Sequence, residues 1–214
     1  MTNAQYHTWL WEKLGHQTIE NLKKRGFTGH FLSSADEARD FIEEVVKDYN
    51  SFGFGGSATA RALELPSTLK QQGKNVYDHW EPQADESDLT LRLKQGRCDC
   101  FICSANAISA TGEIVNVDGV GNRTNAMTFG CPNVIIIAGM NKVTMDLESA
   151  LRRVREVAGP MRARSLNMNT PCAETGICTD CNSPQRICRI TTILHCKPMM
   201  TDITVVLVNQ TLGF

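Results

Sequence analysis

The 214-residue chain lacks a charge excess, a long apolar run and any internal repeat, and each absence narrows its function. With 22 basic against 23 acidic residues and a formal net charge of -1, it has no basic stripe to neutralise a phosphate backbone, so no nucleic-acid partner is expected. The longest strongly apolar run, 134–138, falls far short of the roughly 20 residues a spanning helix needs, so no membrane association is expected either. The stretch MTNAQYHTWLWEKLGHQ offers no uninterrupted apolar core and no small-residue cleavage site, which reads as a cytoplasmic protein. With no low-complexity segment, 42% apolar and 21% charged residues, the composition is that of one globular domain over residues 1–214.

Cysteine, by contrast, is plentiful at nine residues. An odd count in a chain read as cytoplasmic argues against a disulfide framework. Clustered thiols in a reducing compartment point to metal or redox chemistry, and scattered ones to burial.

Hydrophobic patterning predicts strands alternating with helices, hence an α/β fold with a mostly parallel sheet flanked by helices. Residues 4–24 read as an N-terminal helix, an extension over 1–25, whose Trp9 and Trp11 are expected to pack on the core. Ser34 is the expected N-cap of a helix reaching Tyr49. NVIIIAG, 133–139, is an apolar run typical of a strand buried on both faces. DLESALRRVREVAG is a helix that Gly159 and Pro160 are expected to end. RITTILHC and DITVVLVNQ close the chain as strands and suggest an antiparallel hairpin at a sheet edge.

Three segments carry candidate chemistry. The first is GFGGSAT, where Gly53, Gly55 and Gly56 let backbone approach a ligand and Ser57 and Thr59 add hydroxyls at a helix start. Gly53, Gly55 and Ala58 also fit the G-x-G-x-x-A dinucleotide pattern, with Asp78 as the acidic partner, so NAD binding is an alternative. Asp78 with His79 reads as a site pair or, more simply, as structure. The second segment, SANAISATGEIVNVDGVGNRTNAM, places Asn106, Asp118, Asn122 and Arg123 near strand ends, where α/β proteins bind ligands. Arg123 is the expected clamp for a carboxylate or phosphate, Lys142 a second cation, and Glu113 the candidate nucleophile or base. The plain alternative is a hairpin with turns set by Gly and Asn.

The third segment is TPCAETGICTDCNSPQRIC. Cys172, Cys178, Cys181 and Cys188 form Cys-x5-Cys-x2-Cys-x6-Cys, and the x2 pair has metal-clip spacing. The intervening residues are polar loop formers that a four-thiolate centre would order, so 170–189 reads as a metal-binding loop. An iron–sulfur cluster, as 4Fe–4S, is favoured over zinc, with Arg186 and Arg189 offsetting the thiolate charge. A further run, RCDCFIC, sets Cys98 and Cys100 on one strand face and Cys103 on the other, and these read as buried or redox-accessible thiols. Cys131, Cys196 and His195 read as packing.

GFGGSAT, SANAISATGEIVNVDGVGNR, GMNKVT and the cysteine segment, in that order, resemble the lactate-utilisation (LUD) domain family, in its stand-alone members with a C-terminal cysteine motif. The resemblance spans the whole chain. It implies a fold similar to ribose-5-phosphate isomerase and CoA transferases, with a small anionic metabolite near the glycine loop. It also implies a role in oxidising L-lactate or a related organic acid beside other iron–sulfur proteins, with homo-oligomerisation a further expectation. A CoA-transferase- or sugar-phosphate-isomerase-like enzyme with a structural metal is the alternative. Cys131 stands where the family pattern suggests proline, and RCDCFIC goes beyond that pattern.

Overall fold

The computed structural model describes residues 2–82 and 86–214. Its centre is a six-stranded, all-parallel sheet in the order β1-β10-β7-β4-β2-β3. These strands are β1 (Thr28–Leu32), β2 (Ser51–Phe54), β3 (Asn75–Asp78), β4 (Cys100–Cys103), β7 (Asn133–Gly139) and β10 (Asp202–Val208). Alternation assigns each side chain to a face. Val134, Ile136 and Ala138 of β7 join Phe101 and Cys103 of β4 in one core layer, while Ile135 and Ile137 join Cys100 and Ile102 in the other. A sheet buried on both sides needs the continuous apolar runs seen in β7 and β10.

Helices cover one face: α2 (Ala35–Val45), α3 (Ala58–Ala62) and α4 (Leu65–Gln71). Ser34 caps α2 by accepting from the Glu37 amide. That helix stops at Val45, short of Tyr49, because the Asp99 carboxylate takes the Asn50 and Ser51 amides and draws the chain into β2. The opposite face is covered by α1 (Asn3–Lys24) and a second, four-stranded sheet, β8-β5-β6-β9. Its strands are β5 (Ala107–Ser109), β6 (Ile114–Asp118), β8 (Val143–Thr144) and β9 (Ile190–Leu194). Ile19 and Leu22 of α1 lie in the main core, so the N-terminal helix is part of the fold rather than an appendage. Trp11 packs against that core, whereas Trp9 is half exposed.

Two expectations are corrected. The last strands do not form a hairpin: β9 pairs antiparallel with β6 in the second sheet, while β10 lies inside the main sheet between β1 and β7. Its unbroken run Val205–Val208 is buried, which only an interior strand requires. Nor does Gly159-Pro160 end its helix. From α7 (Leu147–Arg153) the chain widens into a π-type turn, Val154–Ala158, and continues as α8 (Gly159–Ser165). The Gly159 amide reaches back to the Val154 carbonyl, and the wider turn accommodates a proline that has no N–H to donate.

The helix α5 (Asp88–Gln95) ends against β2. A methyl group at Gly53 would sit 2.3 Å from the Gln95 carbonyl oxygen and 2.9 Å from the Phe101 ring. Gly53 is therefore required by packing inside β2, not by a ligand. Gly53→Ala is expected to lose about 1–3 kcal/mol, read as a lower thermal midpoint, and an unchanged midpoint would contradict this packing.

Candidate functional site

Strands β2, β3, β4 and β7 run parallel, so their carboxyl ends share one edge of the sheet. A cleft of about 490 Å³ opens there, large enough for a small metabolite. Gly55, Gly56, Ser57 and Thr59 form its glycine-loop wall, and Ser104 and Lys142 follow β4 and β7. Asn106, Asp118, Asn122 and Arg123 line the facing wall. The structure thus gathers most of the expected site residues. Glu113 is not among them. It precedes β6, whereas Asp118 ends that strand, roughly 17 Å of extended chain away. Its carboxylate takes Arg25 at 2.6 Å and the Thr111 hydroxyl at 2.5 Å, so it anchors α1 rather than facing a substrate. Hydrogen bonds from Thr111 and Ser109 and the Arg25 charge outweigh its burial and lower its pKa.

The glycine loop owes its shape to local chemistry. Gly56 adopts φ +47, a left-handed conformation that favours glycine. Ser57 accepts from the Ala60 amide and caps α3, a helix of only 5 residues. Asp78, the acidic residue of the dinucleotide pattern, is buried, paired with Arg61 at 2.5 Å and accepting the Trp80 amide at 3.0 Å. It has no ribose-facing role to offer.

On the facing wall the polar groups satisfy one another. Arg123 Nε and Nη2 reach Asp118 Oδ1 at 2.9 and 2.6 Å. The same guanidinium donates to Asn106 Oδ1 and to the carbonyls of Val117 and Ser104. Arg123 thus lines the cleft with most of its donors engaged within the protein. Asp118 Oδ2 takes the Thr124 amide at 2.8 Å, opening α6 (Asn122–Thr128) from a Gly121 that sits at φ +96. No helix was expected in this segment, since Asn and Thr are weak helix formers. Asn122 accepts from Arg92 and donates to Gln95, whose amide in turn meets His79 Nδ1 at 2.9 Å. Burial, then Arg92, lower the His79 pKa.

Two cations in the cleft have no carboxylate partner among the described residues. Lys142 is buried at 4% exposure and donates to Thr59 Oγ1 at 3.0 Å and Ser104 Oγ at 2.9 Å. Burial, then the Arg153 and Arg123 charges, push its ammonium down to about 7. Arg162 of α8 reaches the Gly56 carbonyl at 3.3 Å and stacks 4.9 Å over the Trp80 ring. Arg162, Trp80, Ser104 and Arg92 were not foreseen; Arg162 was hidden because its helix was expected to have ended.

The cysteine segment reaches this cleft. Its far end is stitched to β6 by the Arg189 amide on the Asp118 carbonyl, 2.9 Å, and Ile187 and Cys188 complete the cleft wall. After α9 (Pro171–Thr175) no strand or helix intervenes before β9. Arginines tie the loop together: Arg186 donates to the Cys181 and Cys188 carbonyls and pairs with Asp180, and Arg189 holds Pro184. Cys188, Asp180 and their hydrogen bonds raise the Arg186 pKa further. Cys172, Cys178, Cys181 and Cys188 are free, partly exposed thiols. They suit a thiolate-bound centre in kind, but among the described residues no three His, Cys, Asp or Glu side chains are gathered to hold a metal ion. In RCDCFIC the expected facing is also revised. The strand begins only at Cys100, so Cys98 joins Cys103 in one core layer, 3.4 Å from the Cys131 sulfur, and Cys100 lies in the other.

Fold and site together define a parallel α/β domain with a cation-bearing cleft at its strand ends. The LUD domain family profile matches residues 15–208, and the chain belongs to that family, which is associated with lactate utilisation. A crystal structure of a DUF162 family protein from Deinococcus radiodurans is similar, with a TM-score of 0.55 and 13% identity over 92% of this chain and 98% of that one. That likeness concerns the fold. Comparison with curated proteins gives no match.

Below its folded pKa, Lys142 carries a charge that burial opposes; the unfolded chain binds that proton up to about 10.4. Its contribution therefore destabilises the fold fully below pH about 7 and fades as pH rises toward the unfolded value. Lys142→Met should raise the thermal midpoint relative to the parent most at low pH, with the difference shrinking toward pH ~10. A difference independent of pH would contradict a charged, buried Lys142.

Proposed function

We propose that the protein binds a small organic anion, L-lactate or a related carboxylate, between Arg162 and Lys142, and acts in the oxidation of such acids. The observation that carries this reading is the pair of cations without acidic partners among the described residues, in a cleft whose one described acidic side chain, Asp118, is already consumed by Arg123. Unpaired cations in a half-enclosed site are costly unless an anion arrives to complete them. Glu113 and Asp78 are engaged elsewhere, which leaves the acyl-transfer and dinucleotide readings without their key groups.

In the same proposal Cys172, Cys178, Cys181 and Cys188 hold an iron–sulfur cluster, 4Fe–4S rather than zinc, drawn together from the loop that borders the cleft. When bound, such a cluster supplies one-electron redox capacity and order to the loop. The chain's own part is to seat the anion: Arg162 meets the carboxylate, Lys142 and the hydroxyls of Thr59 and Ser104 lie beneath it, and Ile187 limits water on the loop side. A reducing, cytoplasmic setting and partner iron–sulfur proteins of the same oxidation system belong to this reading. Among the described residues no helix is long and apolar enough to cross a membrane.

Calorimetry with L-lactate and pyruvate tests the cleft. Arg162→Ala should weaken binding at least about tenfold, roughly 1.4 kcal/mol, with its melting curve unchanged; equal affinity would overturn the assignment. Anaerobic reconstitution with ferrous iron and sulfide tests the loop. Broad visible absorbance with about four irons per chain is expected, lost in Cys178→Ala and Cys181→Ala. One zinc per chain without that absorbance would overturn it.

A further inference from the structure

Lys142 is placed as more than a countercharge. It is the buried lysine at the floor of the cleft, without a carboxylate partner among the described residues, and its hydrogen bonds go to two hydroxyls. A neutral amine can donate its two N–H bonds to Thr59 and Ser104 and keep its lone pair for the cleft. The second cation sits close by. Arg162 bonds the Gly56 carbonyl and Lys142 bonds Thr59, so one loop anchors both at residues three apart in the chain, whose Cα atoms are at most ~10 Å from each other. A ligand that satisfies both carries a carboxylate for Arg162 and an electrophilic carbon beside it for Lys142. We propose that Lys142 is a nucleophile that captures the carbonyl of a small 2-oxo acid as a reversible imine.

This rests on the anion-cleft reading and deepens it, since oxidation of a 2-hydroxy acid yields a 2-oxo acid. The Lys142 nitrogen forms a bond to the carbonyl carbon while the carbonyl π pair moves to oxygen. The proton shed by nitrogen passes to that oxygen, and the Ser104 and Thr59 hydroxyls stand in hydrogen-bond reach to relay it. Loss of water with a second nitrogen proton leaves the imine. Amine and carbonyl go to imine and water, and no electrons are exchanged with an outside reagent. Desolvated lysines beside other cations are the ones that serve as amine nucleophiles. Here burial and the Arg153 and Arg123 charges keep a substantial share of free amine near neutral pH.

Sodium borohydride reduction in the presence of pyruvate or glyoxylate tests the proposal on the full chain. The expected product carries one ligand less one oxygen atom per chain, mapped to the peptide containing Lys142. L-Lactate, which has no ketone carbonyl, should give none. Lys142→Arg keeps the charge and should still bind pyruvate by calorimetry while losing the adduct; Lys142→Met serves as a second variant. Pyruvate binding without a Lys142 adduct, or adducts spread over surface lysines as in unfolded protein, would overturn the imine while sparing the anion cleft. Absence of both binding and adduct for all these acids would overturn both readings.

Discussion

The ion pair between Asp118 and Arg123 is the interaction on which the rest of the site depends. Both side chains are largely buried, at 9% and 15% exposure, where removing one partner of such a pair typically costs about 3–5 kcal/mol. One carboxylate oxygen holds the guanidinium, the other starts α6, and the Asp118 backbone carbonyl takes the Arg189 amide. The second sheet, α6 and the end of the cysteine loop therefore meet at a single residue. Arg123 extends the junction across to the carbonyl after β4, so the main sheet is tied in as well.

This junction decides which groups remain for a ligand. Asp118, Asn106 and Arg123 are occupied with one another or with backbone, and Asn122 with the Arg92 and Gln95 side chains, which makes that wall of the cleft rigid. Among the described residues, Lys142 and Arg162 are left without acidic partners on the other side. In the proposed function, these rigid walls and the two cations together act as a preorganised seat for the anion. The stitching of Arg189 to Asp118 also explains why the cysteine segment borders the cleft instead of lying elsewhere on the surface.

Much of the architecture was legible in the sequence. The apolar run of β7, the Ser34 cap and the glycine turn each have local causes, and local causes are readable. What was missed depends on distant partners. The place of β10 inside the main sheet is set by β1 and β7, which no local pattern reveals. The continuation of the helix past Pro160 depends on a π-type turn, and with it went the identification of Arg162. Glu113 has the right residue type for catalysis, but Arg25, 88 positions away in the chain, claims it. The cleft residues at strand ends were found because parallel strands put their carboxyl ends together wherever they lie in sequence.

The central claim is that the unpartnered cations Arg162 and Lys142 define the ligand seat. The most direct measurement is a crystal structure of the protein soaked or co-crystallised with pyruvate and, separately, L-lactate. The account predicts ligand density at the carboxyl ends of β2, β4 and β7, with the carboxylate on Arg162 and the neighbouring carbon toward Lys142. Ligand density elsewhere, or an empty cleft at saturating ligand, would contradict it.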